Sequence, residues 1–151
     1  MVNVNMSPEF KKLAEDQGIT LEQVKEMVQH GEQTKNKFVL ENKNMAKKRI
    51  GTTTVYVIYE SKGDTFNPVS TYSHRMDEKE VTDFVMDDVQ SWVCNKCNEK
   101  VVRASMYVAY MGITRQAPVV ACPKCKEGLF EDYIVNKTLC TAMALFEKKR
   151  A

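Results

Sequence analysis

An excess of charge of either sign is missing from this chain. Its 22 Lys and Arg nearly balance 20 Asp and Glu, leaving +2, too slight a bias to point to nucleic acid as the main partner. No apolar run approaches the roughly 18 residues that a membrane-spanning helix needs. The opening MVNVNMSPEF has no apolar core of a secretory signal, so a soluble, cytoplasmic protein with no membrane partner is expected. A Gly-rich phosphate loop, a GxSxG elbow and an HExxH helix are all absent. No pair of carboxylates is placed as a general acid and base, so nothing specifies an enzyme. What the chain does have is cysteine. Four of its five form two CxxC pairs, Cys94/Cys97 and Cys122/Cys125, a spacing that in a reducing compartment points to metal or redox chemistry rather than a disulfide framework.

The periodicity predicts an α+β organisation in three parts. Residues 1–76 read as a small domain of two helices followed by a three-stranded antiparallel sheet. Ser7-Pro8-Glu9 resembles a helix start, with Phe10, Leu13 and Ala14 at helical spacing. Thr20 to Gln23 fits a capping box for a second helix ending near Gly31. Three strands are then expected in FVLENKNMAKKRIG, TTTVYVIYE and TFNPVSTYSHRM, the middle one central and covered on both sides, the third pushed to an edge by Pro68. Residues 77–91 read as a connector helix. Asp77 and Glu80 stand at capping distance, Val81, Phe84, Val85 and Val89 share one face, and Glu78, Glu80, Asp83, Asp87 and Asp88 form a solvated acidic one. Residues 92–151 read as a four-cysteine metal ribbon with a C-terminal helix. The helix carries a stripe of Val135, Leu139, Ala142 and Phe146, with Cys140 as a buried, unreactive thiol beside it.

In the ribbon, 24 residues separate Cys97 from Cys122, slightly more than the roughly 15–20 of the commonest pattern. Val102, Ala104, Met106, Val108 and Tyr110 form an apolar strand face, MGIT turns the chain, and RQAPVVA returns it as a hairpin arm with Pro118 at an edge. Such a hairpin delivers four sulfurs to one point, which predicts Cys94, Cys97, Cys122 and Cys125 as the ligands of one metal ion. Structural Zn is the leading reading and redox Fe the alternative, with a metal-free dithiol behind both. Rubredoxin-type iron sites carry Gly after the second cysteine of each pair. Here Asn98 and Lys126 stand there, and Lys tolerates a left-handed conformation poorly. Lys96, Lys100, Lys124 and Lys126 are placed to offset the charge of a metal tetrathiolate.

Outside the ribbon, Lys47, Lys48, Arg49, His74 and Arg75 are candidate anion or RNA contacts if they converge on one groove. The competing reading has His74 and Arg75 tying the sheet end to the acidic connector. The element order of residues 7–76 resembles the small RelE-type ribonuclease toxins, which implies an RNA-binding or RNA-cleaving module.

The segment carrying CNKC, YMGIT and ACPKCKEGLFEDYIVNKTLCTAMALFEKK resembles small two-CxxC, rubredoxin-like ribbon proteins of anaerobic bacteria. These are named as redox proteins and found with molybdenum or tungsten oxidoreductase systems. The resemblance implies metal ligation by the same four cysteines. With the ribbon it leads to the expectation of a non-catalytic accessory protein, a small subunit or partner of a larger oxidoreductase assembly.

Overall fold

The computed structural model describes Asn3–Arg150, with the side chains of Lys149 and Arg150 left out. About 51% of the chain is strand, and all of it belongs to one mixed sheet of nine strands. In chain order the elements are β1 (Asn3–Val4), α1 (Pro8–Asp16), α2 (Leu21–Thr34), β2 (Phe38–Leu40), β3 (Lys43–Ile50), β4 (Thr53–Lys62), β5 (Thr65–His74), β6 (Asp77–Cys94), β7 (Glu99–Tyr110), β8 (Ile113–Ala121), β9 (Gly128–Leu129), a π-helical turn (Ile134–Leu139) and α3 (Cys140–Arg150). The sheet order is β1-β5-β4-β3-β2-β6-β7-β8-β9. The expectation of a two-helix, three-stranded domain followed by a separate ribbon is therefore overturned. Short β2 bonds to β3 on one side and to β6 on the other, with Phe38 opposite Cys94, and so carries hydrogen bonding from one half to the other.

The largest correction concerns residues 77–91, which form strand β6 and not a connector helix. Val81, Val85, Val89 and Val93 recur every four residues, which mimics a helical stripe. In β6 the pairing register with β7 slips after each of Glu78, Thr82, Val85 and Val89, so eighteen residues of β6 face only the span from Glu99 to Ala109. Bulges absorb the extra residues, and Asp83 takes a left-handed φ of 56° inside one of them. Four β-branched valines suit this pleated surface better than a helix.

The N-terminal half keeps its expected helices. Ser7 Oγ accepts from Phe10 N–H, and Thr20 and Gln23 complete a reciprocal capping box. Helix α2 passes through Gly31 and ends at Thr34, with Lys35 in the left-handed capping conformation. Gly31 serves packing instead: a Cβ there would lie 2.9 Å from Tyr59 Oη and 3.1 Å from Ala46 Cβ. The first expected strand is split by a turn at Glu41–Asn42 into β2 and β3. Strand β5 lies next to the edge, flanked on its outer side only by two-residue β1.

Two cores cover β4, as expected of a central strand. On one face Phe10, Ala14, Val24, Met27 and Val28 of the helical hairpin pack on Ala46, Val55, Val57 and Tyr59. On the other, Tyr56 and Tyr72 join Ala104, Met106 and Val108 of β7 and Ile134, Val135, Leu139 and Met143 of the C-terminal helical segment. The Tyr56 and Tyr72 rings stack at 5.0 Å. Helix α3 is pinned further by Arg75, 2.8 Å from Glu147, and by stacking of Tyr110 with Phe146. Gly31→Val should destabilise the protein by about 1–3 kcal/mol through overpacking, read as a lower urea midpoint with an unchanged slope.

Candidate metal centre

The two CxxC turns are built alike. In the first, Asn98 N–H donates to Cys94 O at 2.8 Å; in the second, Lys126 N–H donates to Cys122 O at 2.8 Å. Asn98 and Lys126 both take left-handed φ, 55° and 64°. The structure thus accepts at Lys126 the left-handed conformation that its residue type disfavours. Each turn aims backbone N–H groups at sulfur: those of Lys96 and Cys97 at Cys94, those of Lys124 and Cys125 at Cys122, and that of Glu127 at Cys125. Such donors stabilise thiolate over thiol.

Strand pairing brings the turns together. Cys94 ends β6, and Asn95 N–H donates to Lys37 O. Cys122 follows β8, whose Val120 and Ala121 pair with Leu129 and Gly128 of β9. The result places the four Sγ atoms within 4.8 Å of one another, with Cys94 and Cys125 3.9 Å apart and no disulfide formed. Tetrahedral Zn–S bonds of about 2.3 Å require sulfur separations of about 3.8 Å, so the donor set fits a tetrathiolate metal ion. Cys94 and Cys122 are buried, while Cys97 and Cys125 are half-buried. Burial pushes the Cys94 thiol up and Cys125 up to about 12. At Cys122 burial is outweighed by the N–H groups of Cys125 and Lys124 and by its sulfur neighbours, which hold it below the usual thiol value. A cation at the centre would draw off these protons.

Residues 90–149, which contain the whole cysteine site and the C-terminal helical segment, match the model of a family described as a domain of unknown function (DUF7479). No curated protein and no solved structure matches the chain. No described helix is long and apolar enough to cross a membrane.

The other sequence candidates do not all gather into one groove: Lys47, Lys48 and Arg49 line a common cleft, while His74 and Arg75 lie outside it. His74 is only 1% exposed. Its Nε2 lies 2.8 Å from Glu78 Oε2, and its Nδ1 accepts from Met76 N–H. Arg75 turns to Glu147 on α3, and Lys48 to Glu26 on α2. Arg49 binds Asp77, the Met76 carbonyl and Thr54. The expected tie between the sheet end and the following acidic segment therefore exists at His74, although that segment is strand. Cys140 is half-buried with its thiol donating to Ser73 O, and burial raises its pKa, in keeping with an unreactive thiol.

Sequence reasoning missed Glu78 as the hub of a buried network. Lys47 Nζ reaches Glu78 Oε1 at 2.6 Å, Glu127 Oε1 at 3.1 Å and the Gly128 carbonyl at 2.5 Å. Tyr56 Oη donates to the other Glu78 oxygen, and Phe130 N–H donates to Tyr56 Oη. Burial opposes the charge on Glu78, but Lys47 and His74 outweigh it and hold the carboxyl at about 2. The Lys47 ammonium is likewise held above its usual value by Glu78 and Glu127 despite burial. The network binds β3 and β4 to the second knuckle. The only signal for it in the sequence was the four-residue spacing of His74 and Glu78, which reads equally as a surface pair.

Because Glu78 is depressed in the folded state, its contribution is complete above its unfolded value of about 4.5 and is lost as pH falls toward 2. Roughly 3 kcal/mol should disappear across that window, and Glu78→Gln should flatten that part of the curve in urea titrations at successive pH values. The same variant should cost about 1–3 kcal/mol at pH 7, since it removes the nearer of the two carboxylates that hold the largely buried Lys47 and leaves only Glu127.

Proposed function

We propose that this protein is a non-catalytic accessory or interaction module whose C-terminal half is organised by a structural Zn(Cys)₄ site, working as a small subunit or partner of a larger redox enzyme assembly. The observation that carries the metal reading is the convergence of Cys94, Cys97, Cys122 and Cys125 within 4.8 Å. All four protein positions of a tetrahedron are filled by thiolates, the closed arrangement of a structural site. His74, the one fully buried histidine, is engaged with Glu78 and the Met76 amide. The likeness of the CxxC segment to ribbon proteins of anaerobic redox systems supports the accessory role. Exposed Met86 and Val89 on β6 and Tyr133 and Leu145 nearer the C-terminus supply apolar surface suited to a protein partner.

An Fe(Cys)₄ electron carrier is the second reading, and one observation favours it. Lys126 adopts the left-handed turn that Gly usually provides, so the residue type no longer argues against an iron site, and N–H donors to the sulfurs suit either metal.

Protein purified without oxygen should be colourless and carry one zinc per chain by elemental analysis. A red protein that bleaches reversibly on reduction would establish the iron reading instead. Chelation, or Cys122→Ser, should remove about 10 kcal/mol of metal-linked folding free energy and abolish cooperative unfolding of the C-terminal half by calorimetry. A cooperative fold surviving without metal would overturn the structural role.

A further inference from the structure

Beside the metal centre, the gap between α2, β3, the start of β6 and the second knuckle is a cleft of about 720 Å³, within the roughly 300–1,000 Å³ typical of small-molecule sites. Five Lys and Arg side chains line it, Lys47, Lys48, Arg49, Lys79 and Lys126, against the carboxylates of Asp77, Glu78 and Glu127. The carboxylates are already committed. Glu78 and Glu127 hold Lys47, which also donates to the Gly128 carbonyl, and Asp77 holds Arg49. Lys79 and Lys126 are exposed and form no ion pair with a carboxylate among the described residues, so the uncompensated charge on these walls is positive.

The cleft also holds an unmet hydrogen-bonding need. Asn36 lines it, and its Nδ2 donates to Glu127 Oε2, which sets which end of the amide is the oxygen. Asn36 Oδ1 is buried and accepts nothing, alone in this among the side chains of the described residues. A buried acceptor without a donor costs about 1–3 kcal/mol, and an N–H or O–H group of a ligand would recover it once a turn of the Asn36 side chain bares Oδ1 to the cleft.

We propose that this cleft binds a small phosphate-bearing molecule that also carries N–H or O–H donors, a ligand of nucleotide size. The phosphate would lie against Lys79 and Lys126, which act on it as point charges. A donor group would reach Asn36, and the paired Lys47 and Arg49 would form a fixed floor. Three of the five cations expected from the sequence as anion contacts reach this cleft; His74 and Arg75 do not. The site does not depend on which metal fills the cysteine centre.

Adenosine 5′-monophosphate, pyrophosphate and adenosine serve as probes in calorimetric titrations of the full-length, metal-loaded protein at about 50 mM salt. The monophosphate should saturate one site per chain with a Kd below about 1 mM, and adenosine should bind at least about tenfold more weakly. Lys79→Gln and Lys126→Asn should each weaken binding about threefold; Asn suits the left-handed position of residue 126. Asn36→Leu should weaken the monophosphate about fivefold and pyrophosphate much less, because the nucleotide's amino and ribose hydroxyl groups can reach Asn36 while its phosphate stays on the lysines. Metal content and circular dichroism report the integrity of each variant, and Lys79→Gln, an exposed change, keeps the test available if the others fold poorly. Three results would overturn the proposal: no saturable binding of the monophosphate up to about 10 mM, adenosine bound as tightly as its phosphate, or affinity indifferent to Lys79 and Lys126. Single-stranded RNA binding tightly with a steep salt slope, while the monophosphate fails to compete, would assign the surface to nucleic acid and overturn the small-ligand site.

Discussion

Convergence of four cysteine sulfurs is the constraint on which the architecture rests. The sulfurs stand at the ends of β6 and β8 and in the turns leading into β7 and β9, so one cysteine cluster gathers the termini of four strands. Beside it runs β2, three residues long, which pairs with both β3 and β6. So short a strand contributes only a few hydrogen bonds on each side, and Phe38 opposite Cys94 sets the first CxxC turn beside the seam.

A second fastening lies across the same seam and uses charge. Lys47 on β3 meets Glu78 on β6 and Glu127 in the second knuckle, while Tyr56 and His74 complete the coordination of Glu78. Burying these groups is unfavourable alone and tolerable only because every charge has a partner and a hydrogen bond. A network of this kind contributes less to net stability than to uniqueness of arrangement, because any slip between β3 and β6 would strand a buried ion. The metal turn and the buried ions together leave an open, basic-walled cleft between them, which is where a ligand would sense both halves at once.

How much of this was legible varies with the range of the interactions involved. Caps at Ser7 and Thr20, the apolar face of β7 and the turn at Met111–Gly112 depend on residues a few positions apart, and each formed where expected. The cysteine site was legible too, because CxxC spacing carries its own geometry and an alternating hairpin supplies the return path. Segment 77–91 was misread because valines four apart satisfy a helix, and equally satisfy a strand bulged at almost every step. Only pairing with β7 chooses between them. At Lys126 the conformational doubt failed as well, since the turn takes the left-handed φ of 64° that the residue type disfavours.

By itself, then, the sequence determined the local elements of the N-terminal hairpin, the strand-turn-strand of the ribbon and the four cysteines that converge, since each is encoded by neighbours or by a short, chemically specific spacing. Tertiary structure alone decided that β6 is a strand, that β2 joins two halves into one sheet, and that Glu78 is a buried hub rather than a solvated acid. It also separated His74 and Arg75 from the cations that line the cleft. Those outcomes turn on strand register and on which charges are buried together, quantities set by contacts between residues far apart in the chain, which no local pattern of amino acids contains.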